Sequence, residues 1–192
     1  MVQSKRGCLI VISGPSGSGK TTQLRELYQR CNRPLVASVS ATTRRPRPGE
    51  VDGVDYHFID EDEFARRRAA GDFLECFEVY GRGHWYGTLR HEVATGLEAG
   101  KWVVLEIDVQ GTKAIVDQFP DAVTIFVRPA STAELEQRLR RRATESEDEL
   151  RRRLDVARRE LDQADVYRYQ VVNDDLAEAV SQLCGIVETC GD

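Results

Sequence analysis

The chain has 192 residues, 41% of them hydrophobic, enough for one compact domain with a sizeable core. Its formal net charge of −5 has the wrong sign for a dedicated nucleic-acid binder, and no apolar run approaches membrane-spanning length. Five cysteines, an odd number without a Cys-x-x-Cys pair, and three histidines without metal-ligand spacing argue against a disulfide framework or a zinc site and for a reducing compartment. The opening MVQSKRG lacks an apolar targeting core, so a cytoplasmic location is expected.

Cys8–Ser13 (CLIVIS) is a short continuous apolar run, the pattern of a strand buried on both faces of a parallel sheet. Gly14–Thr22 (GPSGSGKTT) follows, with a helix expected through Thr21–Arg30, and Leu35–Ser40 reads as a second strand. Thr42–Phe58 (TTRRPRPGEVDGVDYHF) is a turn-rich excursion, yet Tyr56 and Phe58 alternate with polar residues as strand residues do. In Ile59–Gly71, Asp60 and Glu63 have capping-box spacing and Gly71 can close the helix. Thr88–Gly100 reads as a helix, and Lys101–Gly111 and Ala122–Val127 read as buried strands. Ser131 with Glu134 opens a helix through Arg142, and Ser146 with Glu149 opens another. In that last helix Leu150, Leu154, Ala157, Leu161 and Ala164 fall on one face. The polar ATESED between the two helices is flanked by arginines. Tyr169–Asp174 reads as a final strand and Asp175 to about Val187 as a final helix. Alternating βα units predict an α/β fold, a parallel sheet with helices on both faces and ligands at the carboxyl ends of its strands.

Gly14, Gly19, Lys20 and Thr21 complete the pattern G-x-x-x-x-G-K-[ST]. Glycines let backbone N–H groups crowd around a phosphate, and the following helix N-terminus favours negative charge. Lys20 is expected to reach the β- and γ-phosphates and the Thr21 hydroxyl to bind Mg2+. The stretch VVLEID ends in Asp108, where a carboxylate can meet the magnesium–phosphate region or an acceptor, although turn chemistry alone also places Asp there. Arginine clusters at Thr42–Gly49, Arg138–Arg142 and Arg151–Leu154 point to small anions, and the last two equally to solvated helix faces.

The segment SVSATTRRPRPGEVDGVDYHF (Ser38–Phe58), with the phosphate loop before it and FLE, YGT, LEIDVQG and VVNDDL after it, resembles guanylate kinase over nearly the whole chain. The resemblance implies a nucleoside-monophosphate kinase with a core (1–37, 96–130 and 168–192), an inserted GMP-binding sub-domain (about 38–95) and a mobile lid (about 131–167). It implies ATP at Gly14, Pro15, Ser16, Gly17, Ser18, Gly19, Lys20, Thr21, Thr22 and Asn173. Arg44 and Arg47, with Tyr56 and Tyr86, would hold the GMP phosphate, for which the planar arginine fork is suited. Glu75 would read the guanine N1–H and 2-amino group, with the Ser40 and Thr88 hydroxyls at the base and Gly87 and Asp108 as further GMP contacts. Lys20 and the lid arginines Arg142 and Arg153 would surround the transferred phosphoryl group. The implied partners are ATP and GMP, with dGMP as a further acceptor, and no nucleic acid, membrane or obligatory protein partner.

One departure stands out. The family commonly has a short G-N-x-Y-G before the Tyr-Gly-Thr/Ser, whereas YGRGHWYGT aligns as two residues longer. The placing of Tyr86 and Thr88 takes the extra residues to bulge out, and leaves Arg82, His84 and Trp85 without a role. Three rival readings stay open. A guanylate-kinase-like scaffold would typically lack a working phosphate loop. A GTPase switch would carry N-K-x-D, which is missing here. A kinase of the same fold acting on a ribose bisphosphate would give Ser40 and Glu75 little to read.

Overall fold

A computed structural model of the chain describes residues 7–78, 83–141 and 147–190. In chain order its elements are β1 (Cys8–Ser13), α1 (Lys20–Arg30), β2 (Leu35–Ala37), β3 (Ala41–Thr42), β4 (His57–Phe58), α2 (Glu61–Ala70), β5 (Phe73–Glu78) and β6 (Trp85–Leu89). They continue with α3 (Arg90–Glu98), β7 (Trp102–Glu106), α4 (Val109–Gln118), β8 (Val123–Pro129), α5 (Thr132–Arg141), α6 (Glu147–Leu161), β9 (Tyr169–Asn173) and α7 (Leu176–Thr189). The fold is α/β, its main sheet pairing mostly parallel and flanked by helices, as the alternation of patterns predicts. The chain divides into two compact units. One takes the residues up to Leu9 with Pro34–Glu106 and Gln110–Ala122; the other takes Ile10–Arg33, Ile107–Val109 and the chain from Val123 onward.

In the first unit β2 and β7 pair in parallel, Leu35 opposite Trp102 and Ala37 opposite Val104. A separate sheet of order β4-β3-β6-β5 is antiparallel except between β3 and β4. Its core is Ala41, Phe64, Phe73 and Leu89, with Phe64 stacked on Phe73 at 4.6 Å between ring centroids. α2 starts where the Asp60 carboxylate accepts the Glu63 N–H at 2.7 Å and ends at Gly71 in the left-handed region, both as the sequence suggests. Trp85 packs against this core under the Arg68 guanidinium, 4.6 Å from its ring centroid, so it is a packing residue of β6.

Several elements differ from expectation. The run Leu35–Ser40 is a strand only to Ala37, and Ala41–Thr42 goes on to pair with β4 and β6. The β5–β6 hairpin is unforeseen, since no two-residue turn marks it and six residues separate its strands. Thr88 and Leu89, expected in a helix, end β6, and the helix begins at Arg90. Val109–Gly111, read as the tail of a strand, instead opens the helix Val109–Gln118. Its β-branched residues mislead, because Val109, Thr112 and Ile115 recur every three residues and are all buried.

The second unit is built on β1-β8-β9, all parallel, with Ile10 opposite Val123 and Ile125 opposite Tyr169. Ile10, Ile12, Ile125, Phe126, Val127 and Val171 are fully buried, which accounts for the unbroken apolar runs in these strands. α5 opens with the Ser131 hydroxyl accepting the Glu134 N–H at 3.1 Å. Leu135 and Leu139 of α5 pack against Leu150, Leu154 and Ala157 of α6, so the apolar stripe read from the sequence is the seam between these helices. Ala164, placed on the same stripe, sits instead in a short 3-10 turn and packs with Val109, Phe126 and Tyr167. Ser146, read as a cap, lies outside the described residues. Among the described residues no helix is long and apolar enough to cross a membrane.

Candidate functional site

The strand-to-helix turn after β1 is the phosphate loop. Gly14 begins it, α1 starts at Lys20, and between them the Ser18 N–H closes a turn on the Pro15 carbonyl at 3.0 Å. Gly19, the N-cap of α1, has φ +95, and a Cβ there would lie 2.1 Å from Asn173 Nδ2. A Cβ at Gly14 would lie 2.0 Å from the Val127 carbonyl oxygen, so neither position admits a side chain. Lys20 Nζ donates to the carbonyls of Gly14, at 2.5 Å, and Pro15, at 3.2 Å, which holds the ammonium over the loop. Thr21 is exposed on the first turn of α1, and Thr22 is half-buried.

Three other elements, β9, α6 and α5, reach this loop. Asn173, at the carboxyl end of β9, donates its amide to the Ser18 carbonyl at 2.6 Å. From α6, Arg153 donates to the Ser16 hydroxyl at 2.8 Å. An open cavity beside them is lined by Gly17, Gly19, Thr22, Arg138, Asn173, Asp174 and Leu176. Arg138 was not singled out within its arginine cluster. It donates to the Ser18 carbonyl and to the Asn173 carbonyl, each at 3.2 Å, and pairs with Glu134 one turn back. No signal in the sequence separates it from Arg140, since both pair with a glutamate four residues back and Arg140 turns outward to Glu136 and Glu147. Arg142 lies outside the described residues.

Behind the loop, Glu160 of α6 is buried, with Oε2 lacking a hydrogen-bond partner among the described residues. Burial pushes its carboxyl up to about 7; the Lys20 charge pulls the other way and Asp108 adds to the rise. Asp108 itself is half-buried in the turn between β7 and α4, within the second unit.

The remaining candidates gather in the first unit. The register of β5 and β6 sets Glu75 opposite Thr88 and Phe77 opposite Tyr86, so the extra residues fall in the connection 79–84, of which 79–82 lie outside the described residues. The Thr88 hydroxyl donates to Glu75 Oε1 at 2.5 Å and fixes one carboxylate oxygen. Gln118 steadies the same strand by donating to the Leu74 carbonyl at 2.8 Å. Gly87 is buried, and a Cβ there would come within 2.8 Å of the Phe73 ring. Ser40 is half-buried, its carbonyl accepting the His57 N–H at 2.9 Å.

Arg44, Tyr56 and Tyr86 form a second cluster. Arg44 Nε donates to the Tyr86 hydroxyl at 3.2 Å, its guanidinium lies 5.4 Å from the Tyr56 ring centroid, and the two tyrosine rings meet edge-on at 5.8 Å. Burial, reinforced by Glu106, pushes the Tyr56 hydroxyl up to about 12, so it stays a proton donor at any physiological pH. Arg44 also makes a two-pronged pair with Glu50, 2.8 and 2.9 Å, a residue the sequence did not point to. That pairing raises Arg44 further above its ordinary value and holds the Glu50 carboxyl below its own. Arg47 is exposed, its N–H held by Glu50 at 2.7 Å.

A family model described as guanylate kinase matches residues 6–190. A guanylate kinase of Rhodopirellula baltica is 53% identical over 182 residues, 94% of this chain and 87% of the relative. One of Caldanaerobacter subterraneus subsp. tengcongensis is 46% identical over 183 residues, 95% of this chain and 87% of the relative. The crystal structure of guanylate kinase from Anaplasma phagocytophilum superposes with a TM-score of 0.78 at 32% identity, covering 97% of this chain and 89% of that one. With a complete phosphate loop in one unit and a carboxylate–arginine–tyrosine constellation in the other, the chain belongs to the guanylate kinase family.

Proposed function

We propose that the chain transfers the γ-phosphoryl group of ATP to the phosphate of GMP, and of dGMP, giving ADP and the diphosphate. The observation that carries this reading is the family match across residues 6–190 of a chain whose phosphate loop keeps Lys20 and Thr21. The loop Gly14–Thr22 takes the ATP phosphates through its N–H groups. The cavity lined by Gly17, Arg138, Asn173 and Leu176 takes the nucleoside end. Mg2+ is assigned to the exposed Thr21 hydroxyl, a hard oxygen that suits it. When bound with the nucleotide it neutralises charge on the phosphates.

On the acceptor side Arg44, Arg47, Tyr56 and Tyr86 are assigned to the GMP phosphate, with Tyr56 donating as a neutral phenol. Glu75 is assigned to the guanine edge, held in place by the Thr88 hydroxyl that donates to its Oε1. Adenine would leave that carboxylate facing no donor pair. Ser40, Gly87 and Asp108 complete the assignment. Lys20, Arg142 and Arg153 are assigned to the transferred group, where charge is stabilised by position and not by covalent chemistry. The contact of Arg153 with Ser16 supports assigning a lid at about 131–167, and the same reading assigns an acceptor sub-domain at about 38–95 and a core to the remainder. All five cysteines are free thiols, which suits the cytoplasm.

The test is ADP formation from Mg·ATP with GMP, dGMP, AMP, UMP, CMP and ribose 1,5-bisphosphate in turn. Saturable turnover with GMP and dGMP alone is expected. Turnover with the ribose bisphosphate alone would overturn the substrate, and GMP binding without turnover would overturn the catalytic reading.

A further inference from the structure

Glu50 has no part in the assignments above, yet its carboxylate organises both arginines of the proposed acceptor-phosphate site. Its Oε1 accepts from Arg44 NH2 at 2.8 Å and its Oε2 from Arg44 NH1 at 2.9 Å. The same Oε2 accepts the Arg47 N–H at 2.7 Å. The Glu50 N–H returns to the Arg47 carbonyl at 3.0 Å, across a turn with Pro48 and a left-handed Gly49 at its centre. Both side chains of the pair are largely withdrawn from solvent, 12% exposed for Arg44 and 19% for Glu50.

A guanidinium has five N–H donors in a fixed plane. In Arg44, NH1 gives one to Glu50 and one to the Arg45 carbonyl at 2.8 Å, NH2 gives one to Glu50, and Nε gives one to Tyr86. Among the described residues the outer NH2 hydrogen has no acceptor, and it lies on the edge shared with Nε, next to the Tyr86 hydroxyl. Because Tyr86 accepts from Arg44, its own O–H is left to donate. Glu50 therefore occupies the end of the fork, and the side edge that adjoins Tyr86 is the one kept for a ligand.

We propose that Glu50 is the positioning residue of the acceptor-phosphate site: it clamps the end of the Arg44 fork and the Arg47 backbone, so that the side edge of Arg44 and the Tyr86 hydroxyl together face the GMP phosphate. This rests on the assignment of Arg44 and Tyr86 to that phosphate. The competing idea, that the carboxylate stands in for the phosphate and is displaced by it, would require breaking three hydrogen bonds held by a closed turn.

The experiment compares the full chain with its Glu50→Gln, Glu50→Asp and Arg44→Lys variants, measuring Kd for GMP and for guanosine by titration. An amide keeps the shape but cannot accept from both guanidinium nitrogens. Glu50→Gln should therefore weaken GMP by about 10- to 100-fold, the range for a lost charge-assisted bond, while leaving guanosine within about 3-fold. Glu50→Asp, which keeps the charge on a shorter arm, should recover part of the loss. Unchanged or tighter GMP binding by Glu50→Gln, with Arg44→Lys still impaired, would overturn the proposal alone. Equal loss of guanosine would make the role structural and overturn it as well. Unchanged GMP binding by Arg44→Lys would remove the acceptor-site assignment and this proposal with it.

Discussion

Replacing Glu160 by Gln isolates the buried carboxylate behind the phosphate loop. In the folded chain burial lifts this group to about 7, against 4.5 for an unperturbed glutamate. Below about pH 4.5 it is neutral in both folded and unfolded chains and makes no difference to stability. Between those two values the unfolded chain gives up the proton and the folded chain keeps it, so the folded state binds more protons and stability falls as pH rises. Above about pH 7 the loss is complete, and 1.36 kcal/mol for each pH unit between 4.5 and 7 puts it at roughly 3 kcal/mol. The uncharged amide removes this effect at every pH while nearly conserving volume. At about pH 5 roughly 1 kcal/mol of the loss has developed, and by about pH 8 all of it has. The melting temperature of Glu160→Gln, taken by calorimetry or circular dichroism, should therefore pull ahead of the parent by about a further 4–8 °C between pH 5 and pH 8. A gap that does not change with pH would refute the argument. So would a variant less stable than the parent at about pH 8, since the carboxylate would then be charged and paired with Lys20.

The other predictions concern the proposed site. Lys20→Ala should lower kcat by at least about 10²-fold with GMP affinity largely retained, because the lysine serves the donor phosphates; near-normal turnover would remove the phosphate-loop mechanism. Glu75→Gln should lower kcat/KM for GMP by about 10- to 100-fold, since an amide cannot accept both guanine donors while also accepting from Thr88. Untouched GMP turnover in that variant would show that Glu75 does not read the base. Deleting Arg82 and Gly83 should leave GMP affinity within about 3-fold, because the β5–β6 register is set by pairs that end at Glu78 and Trp85. Lost affinity would make the connection part of the site.

Elements whose pattern is enforced by burial on every side were legible in the sequence. CLIVIS and AVTIFV are strands because both faces of each are covered, and Asp60, Ser131, Gly71 and Gly100 mark helix ends through local hydrogen bonds and backbone dihedrals that need no tertiary partner. The misreadings fall where long-range contact decides. Val109–Gln118 carries β-branched residues at helical spacing, and burial of Val109 and Ile115 outweighs their local preference. Leu35–Ser40 looks like one strand, but it ends at Ala37, and Ala41–Thr42 pairs with β4 and β6, partners that lie 15 or more residues further along.

The candidate site divides in the same way. Residues assigned to a ligand by their own chemistry, such as Lys20 on a glycine loop, leave a mark in the local pattern. Residues that act by holding those side chains do not. Glu50 is one acidic residue in a charged, turn-rich stretch, and only the geometry shows that both of its oxygens are spent on Arg44 and Arg47. Arg138 is one of four arginines within five positions, and only its bonds to the Ser18 and Asn173 carbonyls separate it from solvated Arg140. The chemistry of the reacting groups constrains residue type, whereas the orientation of those groups can be met by many residues from many places in the chain. Orientation is therefore the part that has to be read from the fold.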